Sequence, residues 1–292
     1  MHGEKSKNIT FARMRMENIQ LVATDLDGTF LRNDKTISEK NLQALHQLGE
    51  RKITRVVATG RNLRKVTEVI PSDVPFDYIV YSSGAGVYDW KNRRHLVSRN
   101  IAPHSSSRLF SHFFQKQYNF SVFAPAPGNH RLWYYRGNQQ CVEFDRYLSF
   151  HDSLATLLPA GDGLEGELCQ FLLIIPEDEK AFALLKKEIE SQCDEIRVIR
   201  SSSPVTKGYI WVEIFHHQVS KGHGVHEVCN LLGISPDHTF GIGNDYNDLD
   251  LLHFTAHSYL THNAPDELKT QFMVAPSNEK DAFARAVQPL IQ

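Results

Sequence analysis

The sequence predicts an α/β protein: a parallel sheet with helices on both faces, interrupted by an inserted α+β domain. Three observations predict it. Short apolar runs recur, each ending in a polar loop and followed by a helix-period segment, as in strands of a parallel sheet buried on both faces. That rhythm breaks near residue 85 and returns later, so the sheet comes from two separated segments. Finally, 292 residues with 41% hydrophobic and 23% charged are enough for two modest cores and exclude a disordered or fibrous chain.

Residues 1–17 are polar with scattered basic residues, and Met16 stands just before the first apolar run, so this stretch reads as a tail or an upstream start outside the fold. Residues 21–24 form a strand that runs into Asp25-Leu26-Asp27-Gly28-Thr29. Ser38 is placed to cap a helix that carries Leu42, Leu45 and Leu48 on one face. Residues 53–58 are the second strand, Thr59-Gly60-Arg61 its loop, and a helix then ends near Pro71. Residues 78–81 are the third strand, running into Ser82-Ser83-Gly84.

The insert begins at Ala85. Residues 87–90 and 95–97 form a hairpin about a basic turn, and residues 105–118 an aromatic-rich helix. Strands over 120–136 are broken at Pro125, Pro127 and Gly128. A strand at 168–175, a helix at 178–191 and a strand at 196–201 complete it. Its core should draw on Phe110, Phe113, Phe114, Tyr118, Phe120, Phe123, Trp133, Tyr134 and Tyr135. The parallel rhythm then resumes with a strand at 211–215, a helix at 222–232, a strand at 239–242, the loop 243–248 and a helix from Leu249. Short strands at 258–260 and 272–274 and a C-terminal helix close the chain. The expected organisation is a tail (1–17), a discontinuous core domain (18–84 and 204–292) and an inserted domain (85–203).

The charge balance limits the partners. Lys and Arg total 32 against 34 Asp and Glu, a net charge of −2, which gives no general pull toward nucleic acid or an anionic membrane. Anion binding must therefore be local. No apolar run approaches the ~20 residues of a membrane helix, and the N-terminus lacks the apolar core of a signal peptide. Cys141, Cys169, Cys193 and Cys229 include no C-x-x-C pair and read as reduced thiols. The expectation is a cytoplasmic protein with neither nucleic acid nor membrane as a partner.

In open parallel sheets, ligands bind beyond the carboxyl ends of the strands, and four polar clusters fall there or beside them. Asp25 and Asp27 lie two apart in an extended segment and present both carboxylates on one face. Such a pair calls for a hard divalent cation, Mg²⁺ before others, or a shared proton. A calcium loop fails on spacing, since Phe30 and Thr36 stand where its Gly and Glu belong. Alone, D-x-D-G also fits a turn of surface aspartates. Thr59 and Gly60 offer a hydroxyl and an open backbone at a helix N-terminus, suited to an anion or simply to capping. Lys221 begins a helix and can pair with phosphate or stand in solvent. Residues 244–248 are dense in oxygen ligands, as turns also are. His223, His226 and Cys229 share a helix face but lack a fourth ligand, so a buried face explains them better than zinc.

All four clusters in this order resemble the haloacid dehalogenase superfamily of phosphohydrolases, in its Cof-type group with a class II, subtype B cap. The four motifs are Asp25-Leu26-Asp27-Gly28-Thr29, Ala58-Thr59-Gly60-Arg61, Ser220-Lys221-Gly222 and Gly243-Asn244-Asp245-Tyr246-Asn247-Asp248. Asn263-Ala264 before a helix is similar too. Two positions depart from the pattern: Ser83 stands where the group usually has Asn, and Asn244 stands where the fourth motif usually has its first Asp.

The resemblance implies a Rossmann-like core with an inserted cap and a Mg²⁺-dependent phosphatase acting on small phosphorylated metabolites, sugar phosphates among them. It implies Asp25 as the nucleophile that becomes an aspartyl phosphate and Asp27 as the acid and base. Thr59, Gly60, Arg61, Lys221 and Asn247 would hold the phosphate. Asp25, the Asp27 backbone carbonyl, Asn244 and Asp248 would hold the metal. The alternatives are a phosphomutase, and an inactive protein that binds a phosphorylated metabolite.

Overall fold

The computed structural model describes residues 18–292 apart from Asp152 and Asp162, so the expected tail, residues 1–17, lies outside the described residues. The chain divides into two compact units. Among the described residues, one takes 18–61 together with Val66–Leu96 and Lys221–Gln292; the other comprises Asn62–Lys65 and Val97–Ser220.

In the first unit, β1 (Leu21–Thr24), β2 (Thr54–Ala58) and β3 (Tyr78–Tyr81) are followed by β4 (Gly86–Asp89) and by β5 (Arg94–Ser98), whose last two residues fall in the second unit. In the second lie β6 (Phe120–Phe123), β7 (Leu132–Tyr135), β8 (Ala155–Leu157), β9 (Gln170–Pro176), β10 (Ile196–Ser202) and β11 (Tyr209–His216). The first unit then adds β12 (Thr239–Gly243), β13 (His257–Thr261) and β14 (Met273–Ala275). Its sheet has the order β14-β13-β12-β1-β2-β3-β4-β5, parallel from β14 through β3, with β4 antiparallel to β3. Leu21, Val22, Ala23, Val56, Val57 and Ile242 are all buried, as expected of strands covered on both faces.

Local signals act as expected along this unit. Ser38 Oγ accepts from the Asn41 amide and starts the helix Glu39–Glu50. That helix buries Ala44, Leu45 and Leu48, whereas Leu42 is only half-buried. The helix after β2 is shorter than expected: it covers Leu63–Thr67 and stops before Pro71. The helix Lys221–Leu232 lies close on the sheet because Gly224 has no Cβ; one there would sit 2.2 Å from Val80 Cγ1. Cys229 of this helix is buried and His226 packs on Phe254, consistent with a packed face.

The second unit's sheet has the order β10-β11-β9-β6-β7-β8, antiparallel except for β7 and β8. One face carries Phe110, Phe113, Phe120, Tyr135 and Phe171 in a buried cluster, with Phe114, Tyr118 and Trp133 packed against it. Phe123 and Tyr134 belong instead to the other face, with Phe144, Tyr147 and Leu172. The expected aromatic core is thus split by the sheet.

Two boundaries differ from expectation. The expected insert over 85–203 began with the hairpin, but β4 pairs with β3 and stays in the first unit. Ser82–Gly84 is too short for a crossover, so the returning strand must be antiparallel to its neighbour. Likewise 211–215 does not resume the parallel sheet; β11 lies between β10 and β9 in the second unit. Only residues 203–208 separate β10 from β11, enough for a hairpin and too few for a parallel return. The helix Val142–Ser149 and β8 lie in a stretch whose sequence shows no clear period.

Candidate active site

The site is assembled at the carboxyl ends of β1, β2 and β12, within the first unit. Asp25 directly follows β1, and its amide bonds the Ile242 carbonyl of β12 at 2.9 Å. Its side chain is 4% exposed. Lys221, at the start of its helix and 2% exposed, donates to Asp25 Oδ1 at 2.7 Å, to Asp248 Oδ1 at 2.6 Å and to Asn247 Oδ1 at 3.2 Å. Burial raises the Asp25 carboxyl, Lys221 works against that and Asp248 adds to it, leaving its pKa at about 7. For Lys221, burial alone would lower the ammonium, but Asp248 and Asp25 more than reverse this and the pKa rises.

Asp248 is fully buried. Its Oδ2 accepts from the backbone amides of Asn244 at 2.8 Å and Asp245 at 3.0 Å, while Oδ1 takes Lys221. Both oxygens are committed to shaping the loop and holding the lysine. Gly243 is required beside it, since a Cβ there would fall 2.5 Å from Asp248 Cγ.

Asp27 faces a different company. Arg61 forks onto it, Nε to Oδ2 at 2.5 Å and Nη2 to Oδ1 at 2.8 Å, and Lys35 Nζ adds a third contact at 2.8 Å. Burial works to raise this carboxyl, but the hydrogen bonds and charges of Arg61 and Lys35 outweigh it and hold the pKa below its usual value. Arg61, expected on phosphate, is therefore on Asp27 in this structure. Lys35 escaped the sequence reading because it belongs to no motif; its positive φ of 69°, in the turn after β1, brings it back toward Asp27.

Thr59 is buried at the end of β2, its hydroxyl accepting from the Arg61 amide at 3.2 Å. Gly60 is open toward Ser83 and Asn247: a Cβ there would stand 3.6 Å from Ser83 Oγ and 3.9 Å from Asn247 Nδ2. Ser83 Oγ is buried without a hydrogen-bond partner beside this glycine. Lys221 thus links Asp25 to Asn247, and Asn247 faces Gly60, which follows Thr59. Asn263, noted in the sequence without a role, donates to the Gly28 carbonyl at 2.9 Å and braces the first loop.

Asn244 closes the other side of Asp25. The end of its amide nearest the site stands 3.0 Å from Asp25 Oδ2, 2.9 Å from the Asp27 carbonyl oxygen and 3.1 Å from Thr29 Oγ1. An octahedral Mg²⁺ about 2.1 Å from its ligands sets adjacent oxygens ~3.0 Å apart. The separations of the Asn244 amide end from Asp25 Oδ2 and from the Asp27 carbonyl oxygen therefore match two edges of such a shell.

Comparison with known proteins shows the family and the fold. The family profile of haloacid dehalogenase-like hydrolases matches residues 22–287. The 5-amino-6-(5-phospho-D-ribitylamino)uracil phosphatase YwtE of Bacillus subtilis is 23% identical over 298 residues, covering 94% of this chain and 98% of that protein. The fold is shared with the crystal structure of SMU.1108c from Streptococcus mutans, at a TM-score of 0.74 and 20% identity over 92% of this chain and 98% of that one. It is shared also with the subclass IIB sugar phosphatase BT4131, at a TM-score of 0.70 and 17% identity over 92% of this chain and 98% of that one.

Proposed function

Because this chain belongs to the haloacid dehalogenase-like hydrolases, we propose that it is a Mg²⁺-dependent phosphatase of small phosphorylated metabolites, sugar phosphates among them, working through an aspartyl phosphate on Asp25. The observation that carries this reading is the division of Asp25: Oδ1 is held by Lys221, and Oδ2 faces the Asn244 amide, which also faces the Asp27 carbonyl. A carboxylate so oriented can attack phosphorus with one oxygen while the other serves a cation.

Asp25 Oδ1 attacks phosphorus, the bond to the ester oxygen breaks, and Asp27 gives that oxygen its proton. Asp27 then takes a proton from the water that attacks the phosphorus of the aspartyl phosphate, releasing inorganic phosphate and restoring Asp25. The proton on Asp27 requires that Arg61 let go of it. A phosphoryl dianion is the better partner for a guanidinium fork, so substrate binding draws Arg61 from Asp27 to phosphate. Lys221, Asn247 and the backbone at Thr59 and Gly60 hold the remaining phosphoryl oxygens, and the Ser83 hydroxyl supplies a donor beside them. Asp25, the Asp27 carbonyl and Asn244 would hold Mg²⁺, with Asp248 adding negative charge behind Lys221. When bound, Mg²⁺ neutralises charge building on the phosphoryl oxygens.

Four free cysteines, three of them buried, favour a reducing cytoplasm, and among the described residues no helix is long and apolar enough to cross a membrane. A screen of phosphorylated metabolites for Mg²⁺-dependent phosphate release tests the proposal. Release that EDTA abolishes is expected. Isomerisation without free phosphate would make the protein a phosphomutase, and ligand-induced stabilisation without any turnover would make it a sensor.

A further inference from the structure

We infer that Asn244 carries its own substitute for the cation. In the metal-free protein its amide NH₂ bridges Asp25 and Asp27, and the amide turns over to present its oxygen when the cation enters. This rests on the reading of the site as a cation site. It concerns a side chain which, unlike an aspartate, has two different ends.

The amide end nearest the site faces Asp25 Oδ2 and the Asp27 carbonyl, and both of these are acceptors. An oxygen placed there, 2.9 and 3.0 Å from two other oxygens, is repelled by both unless a cation stands among them or Asp25 carries a proton. A nitrogen placed there has two hydrogens and can donate one to each, with Thr29 Oγ1 also within 3.1 Å. The Thr29 hydroxyl suits either state because it donates as well as accepts. The heavy atoms keep their places in both states, so the change is a half-turn about the last side-chain bond. Gly28 permits the amide to lie this close: its φ is +77°, and a Cβ there would stand 2.7 Å from the far end of the Asn244 amide and 3.4 Å from the end nearest the site.

An aspartate at 244 has an oxygen at both ends. Without a cation it would add a third carboxylate to Asp25 and Asp248, which already share Lys221. Asparagine thus makes the metal-free site self-sufficient, and a cation must displace two amide hydrogen bonds to bind. Wild-type protein should be well folded without metal and bind Mg²⁺ with reduced affinity.

The test compares full-length wild type, Asn244→Asp and Asn244→Ala by thermal unfolding in EDTA and across a MgCl₂ titration, with side-chain amide NMR of ¹⁵N-labelled protein. In EDTA, Asn244→Asp should unfold at a lower temperature than wild type, with Asn244→Ala between them. Mg²⁺ should raise the Asn244→Asp transition more, with half-saturation about tenfold lower, equivalent to ~1.4 kcal/mol. If Asn244→Asp folds only with Mg²⁺, that too supports the inference. The NH₂ resonance pair missing from both variants should move as wild type is titrated. Equal stability of wild type and Asn244→Asp in EDTA, with equal gains from Mg²⁺, would overturn the inference and leave the cation site standing, as would a stationary Asn244 resonance while Mg²⁺ binds. A protein that Mg²⁺ neither stabilises nor shifts in any variant would overturn the cation site itself.

Discussion

As the proposed nucleophile, Asp25 would have to be both a buried carboxylate and an attacking group, and the two demands conflict. Burial favours the neutral acid, so Lys221 is what keeps the attacking form accessible near neutral pH. Asp25→Asn retains the shape but removes the attacking oxygen. Phosphate release should fall by about 10³-fold or more, while circular dichroism and a cooperative thermal transition show the protein still folded. Substantial Mg²⁺-dependent turnover in the purified variant would move the nucleophile elsewhere. Gly28 is constrained from two directions, by a φ of +77° and by Asn244 against its α-carbon. Gly28→Ala should therefore cost about 1–2 kcal/mol from the backbone alone, read as a lower urea midpoint, and weaken Mg²⁺ binding as the amide is pushed aside. Unchanged stability and metal affinity would show that the loop relaxes freely.

At the scale of elements, the loop after β1 is tied to the helices beside it by buried amides. Asn41, inside the helix Glu39–Glu50, donates to the Phe30 carbonyl at 2.8 Å and accepts from the Ala284 amide of the C-terminal helix Ala282–Ile291 at 3.1 Å. Asn278 donates to the Leu31 carbonyl at 3.0 Å, and its own amide donates to Asn263 Oδ1. Since Asn263 braces Gly28, these bonds form a continuous support under the first motif. Asn41→Leu fills similar volume but leaves a buried carbonyl and a buried amide without partners. It should destabilise the protein by about 2–4 kcal/mol in equilibrium urea unfolding. A loss under ~0.5 kcal/mol would mean that water or a backbone shift replaces both bonds.

At the scale of the whole molecule, the cysteines distinguish the two units. Cys229 lies in the first unit and Cys169 in the second, and burial pushes their thiols up to about 11 and about 12. A raised thiol pKa leaves less thiolate at a given pH, so at pH 8 both are neutral as well as buried and should not react with a disulfide reagent in the native state. Cys141, half-buried at the surface, should react first. Because the whole candidate site belongs to the first unit, Mg²⁺ should raise the urea concentration at which Cys229 becomes reactive. Protection of Cys169 with none for Cys229, followed by mass spectrometry, would place the cation in the wrong unit. The sequence by itself determined where β1, β2, β3 and β12 lie along the chain and which residues follow them, because apolar runs and the loops that end them are local patterns. Tertiary structure alone decided that β11 pairs beside β9 and that Arg61 sits on Asp27. It also decided that Asn244 faces both Asp25 and the Asp27 carbonyl. A continuous apolar strand such as β11 is compatible with either sheet, and the short connection to β10 decides between them. Lys221 lies 196 residues from Asp25 in sequence and within 2.7 Å of it in space. Which charge meets which carboxylate depends on distances of a few ångströms that only the packed chain sets, since electrostatic energy falls with separation in space and is indifferent to separation along the chain.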